Sequence, residues 1–480
     1  MQVSIKWLKD YVDIDETAEE IADRLTMAGV PVEHIVRADK GLEKVITGRI
    51  EKITPHPDSD HLLVCQLNMG GDALLQIVTG AQNVREGNVV PVAMVGAVLP
   101  DGKKISKGKL RGVVSNGMMC SAGELAMDIE GLPDEQVHGI YILPPDTPVG
   151  IPAARVLGLD DVVLEFELTA NRADCFSVIG IAREVAALTG RKLRMPSIEV
   201  QESAGVRAAD LVSIHIDDKE LCHRFSARVL RDVRVAPTPA WMVDRLRGAG
   251  IRSINNVVDV TNFVMLELGQ PLHAYDYDRI AGHTLTARRA HAGEQLHTLD
   301  DSNRIAVGDE LVIADSEKPT GLAGIMGGLI SEVTDATTAV VLEAASFHGA
   351  TIRRTARRIG LHSEASGRFE RGVDETETIR AVTRAAQLLA EMGACTAAEG
   401  TIDIYPAPRV PTVLTFSVRA VAERIGANIP GEWMASALRS LGFTVEEQGG
   451  ETYRVVVPSW RGDVTLMEDI SEEVARLYGF

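Results

Sequence analysis

Between positions 255 and 273 the chain carries Asn255, Asn256, Asp259, Thr261, Asn262, Gln270 and His273 in a stretch otherwise rich in apolar residues. Hydrogen-bonding side chains in such a setting need partners, either from the protein or from a polar ligand. Further on, TGLAGIMGG (320–328) holds Gly321, Gly324, Gly327 and Gly328, where a missing Cβ lets the backbone approach a ligand closely. This run has neither the lysine of a GxxxxGK loop nor the spacing of GxGxxG, so it does not read as a nucleotide-phosphate loop. Glu343 lies in the apolar run VVLEAASF, where an unpaired carboxylate is costly; it needs a partner or a ligand. No serine or cysteine triad accompanies these motifs. Hydrolysis at such a place would proceed by direct attack of water.

Two charged groupings allow other chemistry. Lys103, Lys104, Lys107, Lys109 and Arg111 crowd into KKISKGKLR, on a chain whose net charge is −19. So acidic a protein does not coat nucleic acid nonspecifically, which makes a local basic island the place to meet a phosphate backbone. A solvated charged face is the other reading, and it applies equally to a second island at 353–371. At the far end of the chain, Asp469, Glu472 and Glu473 fall at i, i+3 and i+4, on one helical face, with Asp463 near the helix start. Oxygen ligands suit a hard cation such as Mg²⁺. A basic partner surface or a solvated acidic helix accounts for them as well.

These groups need elements to hold them. Residues 1–39 read as a strand and an amphipathic helix, with Asp15 as its N-cap and an end near Gly29. From Val45 to about Leu125, short β-rich runs separated by glycine, proline and aspartate turns predict a small barrel, with the lysines on one loop. FSVIGIAREVAALTG predicts a helix with Asp174 as a candidate cap, and MPSIEVQESAGVRA a linker. Residues 213–405 mix strands with helices near 238–249 and 374–392. After PAPRVP come helices near 417–425 and 431–441, a hairpin around Gln448-Gly449-Gly450, and a last helix from about Thr465. The fold class is multidomain α+β. An N-terminal α/β module (1–39 and 150–200) accepts a barrel (40–149), followed by an α+β domain (201–405) and a small helix-rich domain (406–480).

Bulk properties agree with that organisation. At 480 residues the chain is too long for one core. Its 45% hydrophobic and 24% charged content is that of a globular protein. No signal-peptide pattern opens it, and Val89 to Leu99, the best apolar run, is broken by Pro91 and Gly96. A cytoplasmic location without a membrane partner is expected. Cys65, Cys120, Cys175, Cys222 and Cys395 form no CxxC pair and read as reduced thiols.

Four motif groups carry a family resemblance. HPDSDHLLVCQL (56–67), VTGAQNV (78–84) and RGVVSNGMMCSAGEL (111–125) resemble, in order, the OB-fold tRNA-binding domain of the bacterial phenylalanyl-tRNA synthetase β-subunit family. LTANRADCFSVIGIAREVAALTG (168–190) is similar to a second segment of that family, with Ala170 where proline is usual. INNVVDVTNFVMLELGQPLHAYD, TGLAGIMGG and VVLEAASFHGATIRRTARRIGLHSEASGRFERGVD resemble its editing domain. PSWRGDVTLMEDISEEVARLYGF resembles its metal-holding signature, with Gly462 in place of a larger residue.

The resemblance implies a set of roles. Thr261, Asn262, His273, Ala323, Gly324 and Glu343 match positions lining an editing pocket, with Thr355 and Ala356 in a further matching segment. Asp463, Asp469, Glu472 and Glu473 match carboxylates holding Mg²⁺ near an α-subunit contact. The implied function is tRNA binding and hydrolysis of Tyr-tRNA(Phe), in an α2β2 heterotetramer whose α subunit uses ATP and aminoacylates. The alternatives are a noncatalytic tRNA-binding or assembly subunit and a free-standing trans-editing factor. The end at ARLYGF, at the close of a helix, reads as a truncation.

Overall fold

The computed structural model describes residues 1–127, 129 and 132–479, which divide into two compact units, 36–162 and 1–35 with 163–480. Within the first, five antiparallel strands stand in the order Leu75–Thr79, Ser59–Asn68, Val45–His56, Val89–Met94, Gly117–Met119. The outer strands are drawn together where the Asn116 N–H donates to Gln76 O at 2.9 Å and the Val78 N–H to Ser115 Oγ at 3.0 Å. The sheet is a nearly closed barrel. Val89–Met94 is apolar without alternation because one face meets the barrel interior, with Ile50 and Ile77, and the other meets a second cluster, with Leu99 and Leu125.

The basic island lies on this unit. Gly108–Leu110 and Val113–Ser115 form a hairpin whose two turn residues, Arg111 (φ 42°) and Gly112 (φ 89°), both adopt the positive φ that such a tight turn needs. Arg111 Nη1 donates to Asp58 O at 3.0 Å, and His56 Nε2 lies 3.0 Å from Leu110 O, so the hairpin is tied to the proline-rich turn.

In the larger unit, Gln2–Ser4, Val162–Phe166 and Val32–Arg37 make a small sheet. The first long helix, Ala18–Met27, is capped by Thr17 in a reciprocal box with Glu20, so Asp15 is not its cap. Helix Val178–Thr189 is capped by Ser177, not Asp174. Glu202–Arg207, inside the expected linker, is the outer strand of a sheet that continues through Thr396–Glu399, Cys222–Arg231, Val340–Phe347 and Leu272–Asp276. Helices Asn256–Leu268 and Thr378–Glu391 pack on this sheet, and a second sheet (213–216, 284–289, 311–314, 319–322, 326–327) shares its core. The final domain adds three strands, Val413–Ser417, Thr452–Val456 and Thr444–Gly449, to helices Val418–Ile425, Gly431–Ser440 and Met467–Tyr478. Among the described residues no helix is long and apolar enough to cross a membrane.

A buried chain of charges links these parts. Arg172 pairs with Asp174 at 2.9 Å and with Glu184 at 2.6 Å; Arg476 pairs with Glu184 and with Glu473, each at 2.6 Å. Arg461 then pairs with Glu473 at 2.6 Å and Asp463 at 2.8 Å. Deleting one member leaves its partner charged and unpaired in a low dielectric, a loss of about 3–5 kcal/mol. Arg476→Met is therefore expected to lower the midpoint of the last unfolding transition in a thermal scan; an unchanged midpoint would refute the linkage.

Candidate functional site

The pairing of two strands sets the site. Leu272–Asp276 runs antiparallel to Val340–Phe347 with His273 directly opposite Glu343, and Tyr275, two residues on, shares their face. Ala323 and Gly324, in the turn after strand Pro319–Leu322, line the same cavity, whose apolar walls include Phe347 and Phe369. Gly324 has φ +67°, and a Cβ there would stand 2.7 Å from the Phe369 ring and 3.1 Å from the Phe347 ring. At Gly327 a Cβ would collide with the His273 imidazole. The glycines are what make room for the aromatic walls and the histidine.

Few polar atoms face this cavity, and several lack partners. Tyr275 donates its phenol hydrogen to Glu343 Oε2 at 2.5 Å, while Glu343 Oε1 makes no hydrogen bond among the described residues. His273 Nε2 is buried and unpartnered, its ring edge-to-face with Tyr275 at 4.5 Å between centroids. The Gly324 N–H donates to no group among the described residues. Burial pushes the Glu343 carboxyl up to about 7, against the pull of the Tyr275 hydrogen bond, and pushes His273 down to about 4. His273 is thus a neutral imidazole at neutral pH. Cys222, buried nearby, is held as a thiol: burial and the Glu343 charge both raise it well above its usual range. The cavity therefore offers an acceptor, a backbone donor and a neutral imidazole within apolar walls, a set suited to a hydroxyl-bearing ring.

His273, Ala323, Gly324 and Glu343 are thus brought together, whereas Thr261 and Asn262 do not line the cavity. Both lie on helix Asn256–Leu268, and Thr261 turns its hydroxyl back onto Val258 O at 2.7 Å. Their polar neighbours are structural: Asn255 caps that helix, and Asp259 accepts from Thr238, Ser253 and the Ile254 N–H. Thr355 and Ala356 are buried in helix Gly349–Ile359, also outside the lining. Nothing in the linear order marks Phe347 or Phe369 as walls. Tyr275 was within reach, since a strand residue two places from His273 must share its face.

Three of the four carboxylates in the acidic set are engaged by the protein's own groups. Asp463 and Glu473 are held by Arg461 and Arg476, and although burial pushes Glu473 upward, those guanidiniums hold it well below the usual carboxylate range. Asp469 caps the last helix, accepting from the N–H groups of Thr465 and Leu466 at 2.8 Å, and Glu472 is exposed. The four do not fit an Mg²⁺ shell. Among the described residues the only clustered ligand-type trio is Asp174, Cys175 and Glu184, which Arg172 already neutralises. On the barrel, Lys103 is paired with Glu124 at 3.0 Å, while Lys104, Lys107 and Lys109 are exposed without ion-pair partners among the described residues.

Comparison with known proteins matches three family models: a "B3/4 domain" over residues 221–394, a "Putative tRNA binding domain" over 45–152, and a "tRNA synthetase B5 domain" over 414–480. The phenylalanine–tRNA ligase beta subunit of Moorella thermoacetica is 48% identical over 480 residues, which is 100% of this chain and 59% of that protein. That of Clostridium acetobutylicum is 45% identical over 481 residues, 100% of this chain and 60% of that protein. The chain thus spans about three fifths of the length of the curated relatives it matches. A crystallised N-terminal fragment of the phenylalanyl-tRNA synthetase beta-subunit from Pyrococcus horikoshii covers 67% of this chain and 88% of its own at 15% identity, with a TM-score of 0.36, too low to bear on the fold.

The raised Glu343 carboxyl has a measurable consequence. A group titrating near 7 in the folded state and near 4.5 when unfolded adds stability below about pH 4.5, and this is lost as pH rises through 7. By pH 8 the loss amounts to roughly 3 kcal/mol. Glu343→Gln, which keeps an acceptor for Tyr275, is expected to flatten the fall in unfolding midpoint between pH 5 and 8. Parallel pH profiles for the two proteins would contradict the buried-carboxyl account.

Proposed function

Because the chain belongs to the phenylalanine–tRNA ligase beta-subunit family, we propose that it binds tRNA through its barrel and hydrolyses tyrosine wrongly esterified to tRNA(Phe) in the Glu343–Gly324 cavity. The observation that carries this reading is an unused acceptor, Glu343 Oε1, and an unused donor, the Gly324 N–H, in one aromatic-walled cavity. A tyrosine phenol answers both. Phenylalanine leaves them buried and unpaired, at about 1–3 kcal/mol each. That selectivity is the inverse of what an apolar synthetic pocket achieves, since such a pocket cannot strongly reject an added hydroxyl.

Water is the nucleophile in this mechanism. Cys222 is a buried thiol, and no serine lines the cavity among the described residues. His273, neutral and with Nε2 free, accepts a hydrogen bond from the attacking water or fixes the ester's terminal adenosine. So depressed a basicity makes it a positioning group more than a strong general base. In this reading the barrel is an OB-fold, aminoacylation and ATP use belong to an α subunit in an α2β2 cytoplasmic enzyme, and no step passes through Mg²⁺ on the acidic helix.

Two experiments test the proposal. In the assembled α and β subunits, Glu343→Ala and Gly324→Trp are expected to slow Tyr-tRNA deacylation at least tenfold while leaving Phe-tRNA synthesis near wild type. Clearance at the wild-type rate by both variants would favour a noncatalytic tRNA-binding role. On the barrel, replacing Lys104, Lys107 and Lys109 by glutamine should weaken tRNA binding and reduce the slope of log affinity against log salt by up to about 0.7–0.9 per lost phosphate contact. An unaltered slope moves the contact elsewhere.

A further inference from the structure

Residues from three motif segments, none of them polar groups of the editing cavity, converge on a second cavity. The NRADCFS segment brings Phe176 and the helix behind it Arg183, GRFERGVD brings Arg368 and Arg371, and PSWR brings Trp460. Arg183 stacks its guanidinium 4.0 Å from the Trp460 ring centroid and makes no hydrogen bond among the described residues. Arg371 lies 4.4 Å from the Phe176 ring, and its Nε is buried without a partner. Arg368 is only 3% exposed; it donates to Phe176 O and Glu364, but its Nη2 is buried and unpartnered. Buried N–H donors left open on more than one guanidinium are an unsatisfied demand for acceptors.

The acidic groups at this cavity already have partners. Asp174 is neutralised by Arg172, and Asp374 accepts from Ser459 at 2.6 Å and from Thr376 at 2.8 Å. Glu377 lies 3.8 Å from Arg380, and burial pushes its carboxyl toward the protonated form. Arg368 is paired with Glu364 at 2.7 Å and Arg371 with Glu370 at 2.9 Å, so Arg183 is the guanidinium left without an ion pair among the described residues, while Arg368 Nη2 and Arg371 Nε keep open donors. Guanidinium forks match tetrahedral oxyanions in geometry as well as charge.

We propose that this cavity is a binding site for a phosphate group, either free inorganic phosphate or the terminal phosphate of a nucleotide, held by Arg183, Arg368 and Arg371. The site is distinct from the editing cavity but shares a wall with it. On the short helix Glu364–Phe369, Ala365 and Phe369 line the editing cavity while Arg368 lines this one. A phosphate held here therefore braces the segment that carries the Phe369 ring. Binding itself does not depend on the editing reading.

The test titrates the full chain with inorganic phosphate at ionic strength held constant with sodium chloride, following tryptophan emission and the thermal midpoint. Wild type is expected to show a saturable emission change, abolished in Trp460→Phe, and a raised midpoint. Arg371→Gln, at a half-buried position, and Arg183→Gln should each bind at least tenfold more weakly. Competition by adenosine monophosphate identifies a nucleotide's terminal phosphate as the occupant; failure to compete identifies the free ion, and either supports the site. No saturable change, or equal affinity in wild type and both arginine variants, which means an adventitious ion only, overturns it.

Discussion

The chain of buried charges from Asp174 through Arg172, Glu184, Arg476, Glu473 and Arg461 to Asp463 is the constraint on which the larger unit depends. Charges withdrawn from water are tolerable only when each is met by an opposite charge and by hydrogen bonds. Here each central carboxylate receives two guanidiniums, so no link can be loosened without stranding another. The members come from the loop at 172–174, the helix Val178–Thr189 and the final domain. Segments some 290 residues apart are thereby fixed relative to one another. The loop cannot relax either: at Gly180 a Cβ would overlap Asp174 O, so loop and helix lie in direct backbone contact.

A second constraint acts on the candidate site through register. Val340–Phe347 is buried along its whole length, paired on one side with Cys222–Arg231 and on the other with Leu272–Asp276. A slip of one residue would carry Glu343 to the opposite face and away from His273 and Tyr275. Two flanking strands make that slip expensive, which gives the cavity a rigid floor. The turn carrying Gly324 is set by close packing against Phe347 and Phe369, so recognition groups of quite different origin meet in a fixed geometry.

Much of this was legible along the chain, and the failures have physical causes. The helices Ala240–Gly248 and Thr378–Glu391 stood where periodicity put them, whereas Asn256–Leu268 and Gly349–Ile359 were not expected. Glu343 stood out because a carboxylate in an apolar strand demands a partner. Tyr275 proved to be one such partner, leaving the second oxygen for a ligand. Thr261 and Asn262 stand outside the cavity lining, and a hydroxyl on a helix can turn to the backbone, as that of Thr261 does, which spacing does not reveal. Asp463 and Glu473 are engaged by arginines instead. Their neutralising arginines stand in PSWRGD and EEVAR, but only the fold brings the pairs together. The island at 353–371 is partly engaged in the same way, with Arg358 held by Asp309 and Glu310 and Arg368 buried, while Arg353, Arg354 and Arg357 stay exposed.

The contrast between arginine and lysine has a common origin. Guanidinium is planar, weakly hydrated and able to donate in several directions, so it survives burial where an ammonium would lose its proton or its place. In this chain arginines carry the internal chain of charges, while Lys104, Lys107 and Lys109 remain exposed on the surface of the barrel. A net charge of −19 therefore says little about the barrel loop. Inside, Glu343 is the exception that separates site from scaffold: a carboxylate with a phenol on one oxygen, no guanidinium against it, and a raised affinity for protons. A scaffold carboxylate here would be paired, as Glu184 and Glu473 are. One left to an uncharged hydroxyl partner keeps hydrogen-bonding capacity for a ligand, at a cost in stability that the rest of the fold must offset.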